Sequence, residues 1–350
     1  MGSEAISALY RDYLMPMTPG PMIRDLLEAS FDPEVQAPRL AEIIESNPLY
    51  SSYLQKLDIL QEKVVQWRED FPEDLGTERG TERLTRFIVV LLGPAAIRNA
   101  ILAIWLNRHA GLGLPKKEGV PFLILPRVHL RYALAISDYC DDQKIANADV
   151  AYLGGLCFDW VTALLEKKGG AVKAEKKYLE EQWPEAVKTA RIAYELAHIP
   201  QKMALSRYVF PSVLLVYLGR VLMAASHAKI WKDFVKHCES HGPNARLAYR
   251  VLEHQKFPWT HSDAASLCSL AFPQLAPAES AIRYYLEPEL LKTVDRESYE
   301  LALLVSTAMT LAKSGKAGLT AEDLLKLDQV GISEAALNSA LSRLKGKGSK

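Results

Sequence analysis

The sequence predicts an all-α protein, and three observations lead to that prediction. Apolar residues recur at helical spacing along nearly the whole chain, as in the series Leu84, Phe87, Ile88, Leu91 and Leu92. No segment sustains the period of two that a half-buried strand requires. Glycine and proline mark the breaks between apolar stretches, as at Gly93-Pro94, where helices are expected to end.

Individual helices follow from the same signals in chain order. Pro38 suits the first turn of a helix that carries Leu40 and Ile44, because an N–H at that position would have no partner inside the helix. The longest apolar stretches are 87–106 and 208–225, and charged or polar residues such as Arg98 and Arg220 interrupt them. A central charge is costly in a lone bilayer helix. We therefore expect buried core helices and no membrane span.

Composition excludes several classes of protein. The chain has 350 residues, 42 basic and 42 acidic side chains, and 49% hydrophobic residues. A net charge of zero provides no general attraction for nucleic acid or for an anionic membrane, and the apolar fraction is too high for a disordered chain. This length favours two domains. We assign residues 1–232 to a first helical domain and 233–350 to a smaller second one. The turn signal nearest to this boundary is the Gly242-Pro243 corner.

The cysteines and the N-terminus favour the cytoplasm. The four cysteines form no C-x-x-C pair, so neither a disulfide framework nor a thiolate zinc ribbon is indicated. The N-terminus has no charged segment followed by an apolar core, as a signal peptide would have.

Several segments together resemble the HDOD family, a helical bacterial signalling domain related to HD phosphohydrolases. A proline-rich opening, Met17–Pro21, precedes the first helix, and Asn47 stands where that family usually has aspartate. The remaining segments that match follow in the family's order: 84–99, Val128-His129, 152–160 and His198-Ile199-Pro200. The resemblance spans about residues 15–225 and implies a multi-helix bundle with a signalling role.

The departures from the catalytic HD pattern imply that hydrolysis has been lost. Catalytic relatives use a helix histidine, a His-Asp pair and a further aspartate to hold metal ions that activate water. At the positions that match, this chain has His129, then Phe158 and Asp159. A phenyl ring cannot bind a metal, and Arg220, near the expected later aspartate, would repel a cation. We treat these three residues as vestigial and predict no metal, no cofactor and no catalytic residue.

Other chemical motifs are weak or missing. His237, Cys238, His241, His254 and His261 form the densest group of metal-ligating side chains, but their spacing indicates exposed or capping histidines rather than zinc ligands. The sequence has no nucleophile elbow and no phosphate-binding P-loop.

The C-terminal segment resembles a helix-turn-helix unit over about residues 298–345. Thr320 and Asp323 approximate a capping box, Gly331 suits a left-handed turn, and Ser333 suits the cap of a last helix. If that helix read DNA, it would present a short set of polar and basic residues. The set is Asn338, Ser339, Ser342, Arg343 and Lys345. An acidic start to the helix and the neutral chain make nucleic acid the less favoured partner of this unit.

These inferences lead to one functional expectation and three alternatives. We expect a non-catalytic bacterial regulatory scaffold that binds signalling proteins through a degenerate HDOD domain, and a homodimer is compatible with it. The alternatives are a divergent metal-dependent phosphohydrolase, a nucleotide-binding sensor, and a DNA-binding regulator. The sequence names neither the partner nor a small ligand.

Overall fold

The computed structural model describes residues 2–11, 15–32, 37–55, 60–74, 77–110, 124–145, 148–167, 173–198, 203–242 and 245–347. These residues form 19 α-helices joined by turns and short 3-10 segments, and no strand occurs among them. The predicted all-α class is therefore confirmed. The chain divides into two compact units, a larger one of residues 1–17 and 135–350 and a smaller one of residues 18–134.

The smaller unit contains seven helices: α2 (Pro21–Phe31), α3 (Ala37–Glu45), α4 (Pro48–Leu54), α5 (Gln61–Asp70), α6 (Glu78–Leu92), α7 (Pro94–Ala110) and α8 (Ile124–His129). Helix α3 packs against α2 and α6, and α7 packs against α2 and α4. Leu26, Leu40 and Ile88 are fully buried in this unit.

Local sequence determines where several of these helices begin and end. The Thr77 side chain accepts a hydrogen bond from the Gly80 amide and starts α6, which ends at Gly93 with φ of +78°. Pro94 then begins α7, and Pro38 lies in the first turn of α3, where the sequence predicts it. A cap at Thr77 and a glycine at position 93 thus define the two ends of α6, and the sequence predicts the second of them.

The larger unit begins with α1 (Gly2–Leu9) and resumes with α9 (Arg131–Gln143), which spans the boundary between the units. Ten more helices follow: α10 (Ala148–Lys167), α11 (Lys173–Ala197), α12 (Met203–Ser226), α13 (Ala228–Glu239), α14 (Ala245–Lys256), α15 (His261–Ser269), α16 (Glu279–Arg283), α17 (Arg296–Ser314), α18 (Ala321–Gln329) and α19 (Glu334–Lys347).

Helix α12 is the centre of the larger unit. Residues 209–219 are all buried, and α12 packs against α10, α11, α15 and α17. Gly154 of α10 lets that helix approach α12 closely, since a Cβ there would lie 3.0 Å from a methyl group of Leu214. This burial on every side explains why α12 is apolar around its whole circumference.

Within the described ranges, two helices are long and apolar enough to cross a membrane, in the segments Ala148–Glu166 and Leu205–Ser226. A third span would be added if the bent pair Arg79–Leu92 and Pro94–His109 counted as one. In the two single helices, 83% of the apolar window is buried inside the protein. Packing of α10 and α12 against their neighbours thus accounts for their apolar character.

The structure groups the chain differently from the predicted division at residues 232 and 233. Those residues lie within α13, and the Gly242 corner joins α13 to α14 inside the larger unit. The physical reason is that α12 shares its core with helices on both sides of this point, including α10 before it and α15 after it.

Candidate functional site

The two residues that match the HD pair are packed inside the protein. Phe158 and Asp159 lie in the middle of α10 and are buried. The Phe158 ring meets the edge of the Trp183 ring, with their centroids 5.0 Å apart. His129 is half-buried at the end of α8 and belongs to the smaller unit, whereas Phe158 and Asp159 belong to the larger one. Position 158 therefore serves the aromatic core of the larger unit.

The histidine-rich segment is not arranged as a metal site. Across the described residues, no group of three or more histidine, cysteine, aspartate or glutamate side chains is placed to hold a metal ion. His241 is exposed and its Nδ1 lies 2.9 Å from the His237 carbonyl oxygen, while Cys238 is buried. Burial raises the pKa of the Cys238 thiol to about 11, which disfavours the thiolate that a metal would need.

The local geometry predicted for the C-terminal segment is confirmed. Thr320 and Asp323 form a capping box at the start of α18. Gly331 has φ of +82° in the following turn, and the Ser333 hydroxyl accepts a hydrogen bond from the Ala336 amide at the start of α19. A pair of short helices, α18 and α19, therefore ends the described chain.

The side chains proposed to read DNA make contacts inside the larger unit. Arg343 Nε donates to Glu195 Oε2 over 2.8 Å, and its other nitrogens approach the Glu195 carbonyl and the Ser339 hydroxyl. Asn338 accepts a hydrogen bond from Lys316, and the Ser342 hydroxyl donates to the Asn338 carbonyl. The Lys345 side chain lies outside the described residues. Helix α19 is thus attached to α11 through the arginine that would contact DNA.

A pocket of about 470 Å³ opens elsewhere in the larger unit. Its walls come from α11, α12, α13, α14 and α17 and from the turn after α16. This volume lies in the range of small-molecule sites. We call it the Arg220 pocket, after the cation that lines it.

Arg220 is held among tyrosines. Its guanidinium carbon lies 5.3 Å from the centre of the Tyr217 ring and 5.2 Å from that of the Tyr249 ring. Its Nε is buried and has no hydrogen-bond partner among the residues that the structure describes, and the same holds for the Tyr249 hydroxyl. Buried polar atoms are usually paired, so two unpaired groups in one cavity point to a missing ligand.

The other tyrosine hydroxyls near Arg220 are engaged. The Tyr217 hydroxyl lies 3.0 Å from the Thr189 hydroxyl, and the Tyr178 hydroxyl accepts from the Trp231 indole. Burial raises the pKa of Tyr217 and Tyr249, and it raises that of Tyr285 to about 12 although Arg220 opposes the shift. These phenols are therefore neutral near pH 7 and present no counter-charge to the guanidinium.

Behind Tyr285 lies a buried chain of hydrogen bonds. His261 Nε2 is 2.5 Å from the Tyr285 hydroxyl, and His261 Nδ1 is 2.7 Å from Glu253 Oε2. The Glu253 carboxylate also accepts the His261 backbone N–H at the start of α15, where the helix dipole favours an anion. With Nδ1 donating to the carboxylate, Nε2 accepts the Tyr285 proton. This chain fixes the Tyr285 side chain at the wall of the pocket.

Close helix packing fixes the backbone beside Arg220. A Cβ at Gly219 would lie 2.0 Å from the His261 carbonyl oxygen, so α12 touches the start of α15 at this residue. This close contact at Gly219 therefore places Arg220 next to the start of α15, the helix that carries His261.

No sequence motif marks this pocket. In the sequence, Arg220 stands out as a charge that interrupts the apolar stretch 208–225 and that would repel a metal ion. The sequence feature that could have indicated the pocket is a single arginine in an otherwise apolar stretch. A charge that is buried there needs a compensating partner. The tyrosines that surround it come from distant parts of the chain, from position 178 to position 285.

Comparison of the chain with protein-family models, with curated proteins and with solved structures gives no match. The HDOD resemblance therefore stays a prediction from the motifs described above.

Proposed function

We propose that the larger unit is a receptor for a small anionic molecule and that the protein acts as a regulator controlled by that molecule. The observation that carries the proposal is the unpaired Arg220 Nε beside the unpaired Tyr249 hydroxyl in a pocket of about 470 Å³. Both groups donate hydrogen bonds, and a guanidinium keeps its charge at all physiological pH values. An anion satisfies both requirements at once.

The surrounding charges support an anion rather than a cation. No carboxylate of the described residues is within ion-pair distance of Arg220, because the acids at the pocket already have lysine partners. Glu239 lies 3.3 Å from Lys313, and Glu185 lies 3.8 Å from Lys188. The guanidinium also hydrogen-bonds the Tyr285 hydroxyl, but its Nε is unpaired and it has no anionic partner among the described residues. Carboxylate and phosphate groups are the usual anionic partners of a guanidinium.

The regulatory part of the proposal continues the HDOD resemblance. We propose a non-catalytic, cytoplasmic signalling role in which surfaces of the folded chain bind partner proteins. Anion binding by the Arg220 pocket is a sensor function, but its ligand class differs from that of the nucleotide-binding sensor that the sequence leaves open. The DNA-binding alternative has less support, since Arg343 is bound to Glu195.

Thermal unfolding of the full chain with a panel of small anions tests the receptor. Acetate, benzoate, inorganic phosphate and phenyl phosphate serve as probes, with benzyl alcohol as a neutral probe. We expect at least one anion to raise the unfolding temperature, because a ligand that binds the folded state stabilises it. We expect Arg220→Met to abolish the shift.

Arg207→Met is the matched control, since Arg207 lies on the same helix but is exposed and paired with Asp149. It should keep the full shift. If no anion of the panel stabilises the wild-type chain, or if Arg220→Met responds as the wild type does, the receptor proposal is wrong.

A further inference from the structure

The charge balance of the Arg220 pocket limits the class of its ligand. Three cationic and two anionic side chains line it, Arg220, Lys188 and Lys313 against Glu185 and Glu239, so their net charge is +1. The lysines and the acids form two ion pairs. One positive charge, that of Arg220, is left for the ligand to neutralise.

The number of free donors agrees with this charge. Arg220 Nε and the Tyr249 hydroxyl are the two buried lining atoms without a partner among the described residues. The Tyr217 and Tyr285 hydroxyls are already bonded to Thr189 and His261. A carboxylate has two oxygens for two donors. A phosphate dianion has a third terminal oxygen and a second charge that these donors do not serve.

The rest of the pocket suits an uncharged body. Leu286, Met309 and Ala312 contribute apolar surface, and the faces of the tyrosine rings add aromatic surface. A second negative charge on the ligand would have no unpaired cation in the pocket to neutralise it, because Lys188 and Lys313 are already paired with Glu185 and Glu239. An uncompensated charge is unfavourable where water is displaced.

From these observations we infer that the Arg220 pocket takes a monocarboxylate with an uncharged, largely apolar body. This inference rests on the proposed receptor function and names the class of its ligand. Arg220 and Tyr249 hold the carboxylate, and the apolar wall receives the body of the molecule.

The test compares probes that differ only in the anionic group. Isothermal titration of the full chain at neutral pH measures benzoate against phenyl phosphate and hexanoate against hexyl phosphate. We expect the carboxylate of each pair to bind at least about tenfold more tightly, because the pocket has one unneutralised cation for the two charges of the dianion. Arg220→Met should abolish carboxylate binding.

Tyr249→Phe keeps the test valid even if the Arg220 variant fails to fold. The substitution removes a hydroxyl that has no partner in the unbound protein, so it leaves the fold intact. We expect it to weaken benzoate binding by about tenfold, the usual effect of losing a hydrogen bond to a charged group. Tyr299→Phe removes another buried unpaired hydroxyl outside the pocket and should leave the affinity unchanged.

The outcomes separate the two proposals. Tighter carboxylate binding that depends on Tyr249 but not on Tyr299 supports the monocarboxylate. Equal or tighter binding of the phosphates, still dependent on Arg220, overturns the ligand class and leaves the receptor standing. Carboxylate binding that survives both Arg220→Met and Tyr249→Phe occurs elsewhere and overturns the inference. Failure of every anion to bind overturns both proposals.

Discussion

Positions 158 and 220 lie on two helices of the larger unit that pack together. The first carries an apolar side chain and the second a charged one. On α10, the residue where the HD pattern has a metal-binding histidine is a phenylalanine packed against Trp183. On α12, a guanidinium stands among tyrosines with a buried nitrogen that has no partner. The first position is packed core, and the second has the unpaired buried donor on which the proposed binding site rests.

The contrast teaches where to look for function in a helical protein. A family pattern directs attention to Phe158 and Asp159, which the structure buries in α10. Unsatisfied buried donors direct attention to Arg220 instead. A polar group without a partner costs stability, so its presence in a folded protein requires an explanation. A packed aromatic ring stabilises the protein and requires none.

The largest change in the free energy of unfolding is expected at position 158. Phe158→Ala should lower the free energy of unfolding by about 3–5 kcal/mol, because the ring is fully buried and its removal leaves a cavity. Urea unfolding followed by circular dichroism measures the change. Val128→Ala, at a side chain that is 62% exposed, is the control and should change stability very little.

Phe158→His is the sharper form of this experiment, since it restores the residue of the HD pair. We expect destabilisation, because an imidazole is placed where the wild type packs a phenyl ring, and no stabilisation by added Mn²⁺. A variant that gains stability from Mn²⁺ would show that the metal-binding frame survives and would break the comparison.

The next largest effect is expected at the contact that positions Arg220. Gly219→Ala should cost about 2–3 kcal/mol, since the new methyl group meets the His261 backbone and neither helix is free to move. Gly154→Ala is the matched control. Its methyl group would meet mainly the flexible end of the Leu214 side chain, so we expect a smaller loss in the same urea experiment. Equal losses would show that the α12–α15 contact has no special rigidity.

A smaller effect is expected from Arg343→Met, about 1 kcal/mol or less, because this arginine is partly exposed. Glu195 is buried and keeps its second partner, Arg191, so the carboxylate is not left unpaired. Arg39→Met, at an exposed pair with Glu42, is the control and should be near neutral. If Arg343→Met keeps its stability but loses retention of a DNA duplex in low salt, the DNA-binding alternative regains support.

The last effect is confined to alkaline pH. The pKa of Tyr285 is raised by burial from its ordinary value of 10.0 to about 12. The folded chain thus holds this proton more tightly than the unfolded chain. Its contribution to stability is fully present below pH 10.0 and declines as the pH rises through about 12. Tyr285→Phe should flatten that decline in unfolding measurements, and an unchanged decline would assign it to other phenols.

The features that could be predicted from the sequence are those encoded locally. The capping box of Thr320 and Asp323 and the turn at Gly331 need only a few neighbouring residues, and helical periodicity identified the fold class. The Arg220 pocket could not be predicted in this way. Arg220, Tyr249 and Tyr285 meet because α12, α14 and the turn after α16 pack together, and no local signal specifies that arrangement.

The division into units shows the same limit. Gly242 and Pro243 are local turn signals, and a turn does follow α13. Whether a turn separates two cores depends on what the flanking helices bury. Here α12 packs against helices on both sides of that turn, which the order of the residues does not reveal.

The residues that line the Arg220 pocket are far apart in the sequence, and this separation has a consequence for folding during synthesis. Its lining runs from Gln182 to Gly318, so the pocket is incomplete until residue 318 has left the ribosome. Contacts between distant segments form late in folding. The proposed anion therefore cannot guide the early collapse of a nascent chain, and it would stabilise only chains in which residues 182–318 have already packed together.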